Sequence, residues 1–117
     1  MQENGAQPHA VEEPNTVRGP YLVVSAGPDR GEIFPLWGER TTIGRASREA
    51  TWEVRLTDRA VSRPHAQLDR MEGGYLLLDL NSANGTQLNG TAVDHPLTLH
   101  NGDVIIVGET RLVFYER

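Results

Sequence analysis

A hydroxyl, a guanidinium and an imidazole lie within four consecutive residues of the sequence, at Ser62, Arg63 and His65. The serine O–H can donate a hydrogen bond and the arginine presents a fixed cationic fork, and neither group must lose a proton to do so. A phosphate at neutral pH carries negative charge and presents acceptor oxygens. The segment therefore predicts an anion-binding loop.

Ser62 and His65 could also be interpreted as a nucleophile and its base. Such a pair needs a third group that orients the histidine, and serine hydrolases of one large class place the serine in a recognisable sharp turn. The sequence marks neither feature around Ser62. We therefore expect a binding module and no catalysis.

The composition limits the ligands that such a loop could bind. The chain has 16 acidic and 11 basic residues, and its formal charge of −5 argues against general binding of nucleic acid or anionic membranes. The window from Arg45 to Arg63 holds five arginines and three acidic residues, which leaves it at +2. Charge is thus positive where an anion would bind.

Other kinds of site lack the residues that they need. The 117-residue chain has no cysteine, which excludes disulfides and thiolate chemistry. His9, His95 and His100 lack metal-ligand spacing and the carboxylates form no calcium loop, so we expect no metal and no cofactor. No window of about 18 apolar residues and no signal-peptide pattern occurs, and we expect a cytoplasmic protein.

Short strands must hold the anion-binding loop. Residues 1–19 are polar and should form a disordered tail, whereas residues 20–117 alternate apolar runs with turn residues and should form one domain. Pro35 cannot donate a ladder hydrogen bond, so its strand should lie at an edge or contain a bulge. The predicted strands cover residues 21–26, 32–37, 40–43, 54–56, 65–69, 74–80, 86–88, 91–93, 104–107 and 110–115. About ten strands without a convincing helix favour an antiparallel β-sandwich.

Four motifs in a fixed order resemble a known family. They are Ile43-Gly44-Arg45, Val61-Ser62-Arg63-Pro64-His65-Ala66, Asp79-Leu80-Asn81-Ser82-Ala83-Asn84-Gly85-Thr86 and Leu88-Asn89-Gly90. Spacing alone does not show whether the loops converge, but this succession is similar to the forkhead-associated (FHA) phosphopeptide-binding domain over residues 20–116. The resemblance implies an all-β, FHA/SMAD-like sandwich of eleven strands with the binding loops at one end.

The resemblance also implies a role for each motif. Arg45, Ser62 and Arg63 would bind the phosphate, and Asn84 would hold the main chain of the bound peptide. The residues expected to shape the loops are Gly44, His65, Gly85, Thr86, Asn89 and Gly90.

Two residues near these motifs raise separate questions. Ala83 stands where several family members have threonine or another longer side chain, so one ligand contact could be missing. Trp52 is a large side chain in a polar loop close to Arg45 in sequence. It could line the peptide groove or be buried beneath its loop.

The resemblance implies recognition of a phosphothreonine-containing protein or peptide in Ser/Thr kinase signalling. A Ser/Thr kinase is then the expected upstream partner, and the unphosphorylated chain should be a monomer. The alternative is an FHA fold that serves as a phosphate-independent dimerisation or scaffolding module. Thr16, in the acidic tail, is a possible phosphorylation site whose product could occupy the pocket of a neighbouring molecule.

Overall fold

The computed structural model describes residues 18–116, which form eleven β-strands in two sheets. The strands are β1 (Tyr21–Ala26), β2 (Ile33–Pro35), β3 (Arg40–Arg45), β4 (Val54–Leu56), β5 (Ala66–Met71), β6 (Gly74–Asp79), β7 (Thr86–Leu88), β8 (Thr91–Ala92), β9 (Leu97–Thr98), β10 (Val104–Val107) and β11 (Thr110–Tyr115). Residues 18–116 contain no helix that could cross a membrane. Residues 1–17, which include Thr16, lie outside the described residues. The predicted all-β sandwich is confirmed.

The strand order explains which loops share an end. One sheet has the order β2-β1-β11-β10-β7-β8, and the other has the order β4-β3-β5-β6-β9. β2 lies at an edge, as the missing N–H of Pro35 predicted. Paired strands are antiparallel except β3 and β4, which run parallel with Ile43 opposite Val54. The pair is parallel because residues 46–53 carry the chain back along β3 before β4 begins.

Apolar side chains from both sheets fill the space between them. Leu112 and Phe114 of β11 are fully buried, as their alternation along the strand predicted. They belong to one cluster with Leu22 of the same sheet and with Ile43 and Leu68 of the other sheet. Burial of a side chain of this size contributes about 1.5 to 3 kcal/mol. The packed core thus supports the loops, which extend from both ends of the sandwich.

β9 is the one strand that the sequence pattern did not predict. It has two residues, Leu97 and Thr98, which pair with Leu77 and Leu76 of β6. A run this short has no alternation, and Pro96 directly before it suggests a turn. It pairs with part of the edge of β6 that β5 leaves open.

The two ends of the sandwich carry different loops. β3 ends at Arg45 and β5 begins at Ala66, and the strands are antiparallel neighbours, so residues 57–64 lie at the same end as Arg45. The turn between β5 and β6 lies at the other end, where it lines a groove together with Pro20 and Glu116. The chain therefore enters β1 at the end opposite residues 57–64.

Candidate functional site

Backbone hydrogen bonds join the end of β3 to the segment 57–64, here called the phosphate loop. The Arg45 N–H donates to the Ser62 carbonyl at 3.0 Å, and the His65 N–H donates to the Ile43 carbonyl at 2.8 Å. Two of the predicted phosphate ligands, Arg45 and Ser62, are therefore neighbours in space.

His65 links the phosphate loop to the loop 80–85 that contains Asn84. Its side chain is fully buried, its Nδ1 accepts the Ser62 N–H at 2.9 Å, and its Nε2 lies 2.9 Å from the Gly85 carbonyl. Because Nδ1 accepts the N–H of Ser62, Nδ1 itself carries no proton. The ring proton is therefore on Nε2, which donates to the Gly85 carbonyl. One neutral imidazole thus holds two loops at a fixed separation.

The Ser62 side chain is half-buried between the same two loops. Its Oγ accepts the Ala83 N–H at 2.9 Å. Because that bond occupies a lone pair, the hydroxyl proton is still available to an anion. His65 contacts the backbone N–H of Ser62 and not the hydroxyl. This arrangement provides a hydrogen-bond donor and lacks the contact between hydroxyl and imidazole that would activate a nucleophile.

The side chains of Arg45 and Asn84 each donate to one carbonyl of the phosphate loop, and the two carbonyls are consecutive in the chain. Arg45 Nη1 is 3.4 Å from the Arg59 carbonyl, and Asn84 Nδ2 donates to the Ala60 carbonyl at 3.0 Å. Each bond uses one donor, so most of the guanidinium N–H groups and the Asn84 Oδ1 are left for a ligand.

Exposed arginines surround these groups. Arg48, Arg59 and Arg63 are exposed, and within residues 18–116 none of them forms an ion pair. Asp58, an acid of the same window, is buried and its oxygens already accept hydrogen bonds. The charge presented to solvent between positions 45 and 63 is thus more positive than the net +2 of the sequence.

Known proteins resemble this chain in sequence and in fold. The FHA domain family matches residues 41–108. This chain belongs to the FHA family. A chain solved in structural and functional work on phosphothreonine-dependent FHA domain interactions superposes with a TM-score of 0.74 at 31% identity, over 86% of this chain and 98% of that one.

Curated relatives of this FHA domain include bacterial regulatory proteins. It is 38% identical over 95 residues to the oxoglutarate dehydrogenase inhibitor of Corynebacterium diphtheriae, and 42% identical over 94 residues to the glycogen accumulation regulator GarA of Mycolicibacterium smegmatis. These alignments cover 81% and 80% of this chain, but 64% and 56% of the two relatives. The chain therefore spans less than two thirds of the length of either relative.

Trp52 packs directly on the Gly-Arg motif of the FHA domain. Its indole Nε1 donates to the Arg45 carbonyl at 3.0 Å. A Cβ at Gly44 would lie 2.8 Å from Nε1 and 2.9 Å from Cε2 of the same ring. The glycine is thus required by the close approach of the indole, and Trp52 is half-buried against β3. The indole packs on Gly44 next to Arg45, and part of the side chain remains exposed.

Asp79 organises the loop that carries Asn84. Its Oδ1 accepts the hydroxyls of Ser82 and Thr86, both at 2.6 Å, and its Oδ2 accepts the Ser82 N–H at 3.1 Å. Burial alone would raise the pKa of Asp79, but the hydrogen bonds from Ser82 and Thr86 outweigh it and hold the pKa below its ordinary value. Ser82 Oγ in turn accepts the Gly85 N–H at 2.9 Å.

Asn89 and Gly90 form the two-residue turn between β7 and β8, with φ values of 51° and 86°. Positive φ at both positions matches the predicted hairpin. Asn89 Nδ2 donates to Asp103 Oδ1 at 3.0 Å, and its Oδ1 accepts the Val104 N–H at 2.9 Å. Thr86 is the first residue of β7, and this turn follows the last residue of the same strand. The turn therefore lies away from the phosphate loop, and the segment that leads into β10 holds it.

The sequence motifs predicted no role for three residues that hold the loops of the site: Asp58, Asp79 and Ser82. Each of these side chains accepts a backbone N–H of its own loop, from Ala60, Ser82 and Gly85 respectively. Asp58 accepts the N–H two residues on, a local pattern typical of aspartate in turns, which could have marked it. Positive φ in the loop 80–85 occurs at Asn81, with a value of 58°, and at Gly85, with a value of 81°.

Proposed function

We propose that this FHA domain recognises phosphothreonine-containing segments of other proteins. Arg45, Ser62 and Arg63 would bind the phosphate, and Asn84 would bind the main chain of the peptide. The observation that carries the proposal is the backbone hydrogen bond of 3.0 Å between Arg45 and Ser62. This bond brings together two residues whose side chains carry a guanidinium and a hydroxyl with an available proton, which are donors suited to phosphate oxygens.

A non-catalytic role follows from the same groups. The FHA family and relatives named as a regulator and an inhibitor support a protein that acts by binding. We expect a Ser/Thr kinase to generate the ligand in the cytoplasm. The domain would then join that phosphorylated product to a further component, with residues 20–117 as the binding unit.

The ligand class is tested with four versions of one peptide. A degenerate phosphothreonine library first supplies a sequence, which is then titrated with phosphothreonine, phosphoserine, threonine or aspartate at the central position. A phosphate has three acceptor oxygens and nearly two charges, whereas aspartate has two oxygens and one charge. We expect phosphothreonine to bind about fivefold better than phosphoserine through burial of its methyl group, and both to bind far better than the other two. Equal affinities for all four would refute the proposal.

The phosphate site is tested by Arg45→Ala. Loss of two hydrogen bonds to a charged group should weaken phosphopeptide binding at least about a hundredfold. Arg70→Ala is the matched control, because Arg70 is exposed and lies beside the turn between β5 and β6, at the other end of the sandwich. Unchanged phosphopeptide binding by a folded Arg45→Ala variant would reject the site. A protein partner that binds both variants alike would instead indicate the phosphate-independent scaffold.

A further inference from the structure

Asp58 is a buried carboxylate at the start of the phosphate loop, with 4% of its surface exposed. Its Oδ2 accepts the Thr110 hydroxyl at 2.7 Å and the Glu109 N–H at 2.8 Å. Its Oδ1 accepts the Ala60 N–H at 2.9 Å. One side chain therefore ties the phosphate loop to the turn between β10 and β11, across 52 residues of sequence.

The turn approaches the phosphate loop closely enough to exclude a side chain. A Cβ at Gly108 would lie 3.0 Å from the Ala60 carbonyl carbon, from Ala60 Cβ and from Asp58 Oδ2. Gly108 also has φ +61°, a conformation that glycine adopts most readily. The contact between the turn and the loop is thus a tight one, with a specific carboxylate at its centre.

The two residues after Asp58 are the ones that orient ligand-binding side chains. The Arg59 carbonyl accepts Arg45 Nη1, and the Ala60 carbonyl accepts Asn84 Nδ2. A change in the backbone of this tripeptide would move both acceptors together. The hydrogen bonds of Asp58 therefore act on the arginine and the asparagine although Asp58 itself faces the interior.

We propose that Asp58 and Thr110 are positioning residues, which hold the phosphate loop in the one conformation that presents Arg45 and Asn84 to a phosphopeptide. The proposal rests on the proposed function for its effect on affinity. If the anchor is weakened, the loop occupies other conformations, and the apparent affinity falls in proportion to the competent fraction. Burial would raise the pKa of Asp58, but the hydrogen bonds from Thr110, Ala60 and Glu109 outweigh it and keep the carboxylate charged.

The test compares two substitutions of Thr110, a fully buried residue. Thr110→Val preserves the shape and removes the hydroxyl, whereas Thr110→Ser preserves the hydroxyl and removes a methyl group. We expect Thr110→Val to weaken binding of the library-selected phosphothreonine peptide by about tenfold, and Thr110→Ser to stay within about twofold of the parent. Ile105→Val is the control for a general loss of stability, because Ile105 is buried in the middle of β10. It should leave affinity unchanged below the unfolding transition.

Hydrogen exchange provides a readout that does not depend on peptide binding. The amides of Ala60 and Glu109 both donate to Asp58, so both should be protected in the parent and exchange at least about tenfold faster in Thr110→Val. Their rates in Ile105→Val should equal those of the parent. Equal exchange at these two amides in Thr110→Val and the parent would overturn the anchor.

The affinity and exchange results separate the two proposals. Faster exchange with unchanged affinity would overturn the positioning role while leaving phosphopeptide binding intact. A parent protein that binds no phosphopeptide would refute the proposed function, whereas the exchange data would still decide whether Asp58 and Thr110 hold the loop. A weakened Thr110→Val variant that Thr110→Ser restores supports the proposal.

Discussion

Gly44→Ala should disturb the candidate site through Trp52, the side chain that packs on Gly44. The added Cβ would meet Trp52 Nε1 at 2.8 Å, Cε2 at 2.9 Å and Cδ1 at 3.1 Å, and the first two distances are shorter than Cβ contacts in proteins. Gly44 is not among the residues with positive φ. The backbone itself therefore accepts alanine, and the destabilising part of the effect comes from collision with the indole.

The size of the effect follows from what the indole must give up. If it moves, the hydrogen bond from Nε1 to the Arg45 carbonyl is lost, which is about 0.5 to 1.5 kcal/mol, and overpacking of this kind costs about 1 to 3 kcal/mol. Replacing glycine also lowers the entropy of the unfolded chain and returns about 0.4 to 1 kcal/mol. Taken together, these ranges lower the free energy of unfolding by about 0.5 to 4 kcal/mol, with a central value of about 2 kcal/mol.

Urea unfolding at equilibrium measures this change, with Gly38→Ala as the matched control. The nearest atom to a Cβ at Gly38 is the Arg40 carbonyl oxygen at 4.0 Å, so the control should be neutral or slightly stabilising. A double-mutant cycle with Trp52→Ala isolates the collision, because Trp52→Ala removes the ring atoms that the Cβ added at Gly44 would meet. If Gly44→Ala destabilises the protein equally with and without the indole, the steric explanation is wrong.

Three further predictions concern the loops and the tail. Ser62→Ala should weaken phosphopeptide binding by about tenfold to a hundredfold, less than Arg45→Ala, because one donor is lost; titration with an unchanged unfolding midpoint would verify this. The lowered pKa of Asp79 means that its carboxylate stabilises the fold above the ordinary value of about 3.9, and this stability is lost as pH falls through the lower folded pKa. Unfolding midpoints from pH 3 to 7 should therefore drop more steeply in the parent than in Asp79→Asn, and parallel curves would contradict the assignment. Phosphorylated Thr16 should drive association that depends on concentration and is abolished by Arg45→Ala, because the five virtual bonds from Thr16 to β1 span at most about 18 Å and β1 begins at the opposite end from the phosphate loop. Sedimentation that shows a monomer with an occupied pocket would disprove this geometry.

Most of the fold could be predicted because its strands have local signals. β1, β4, β7, β10 and β11 begin and end at the predicted residues, since each is an apolar or alternating run bounded by turn residues. β9 was missed because two residues carry no period. The parallel pairing of β3 and β4 was also not predicted, because it depends on the path of the intervening loop.

The residues of the candidate site also differ in whether a local sequence pattern indicates them. Arg45, Ser62 and Asn84 stand in short motifs, so a resemblance could indicate them before any distance was known. The anchor between Asp58 and Thr110 joins residues 52 positions apart, and no pattern along the chain reports such a contact. The placement of Trp52 likewise depended on whether Gly44 left room for a ring, which only the three-dimensional arrangement shows.

The first and last strands of the domain lie side by side, so a fused protein or a sensor surface can be joined at the same end of the molecule. Tyr21 of the first strand pairs with Tyr115 of the last, and Pro20 and Glu116 line the same groove, at the end away from the phosphate loop. A fluorescent protein or a sensor surface joined at either end would leave the recognition face directed into solution. Adjacent ends also allow insertion of the domain into a surface loop of a host protein.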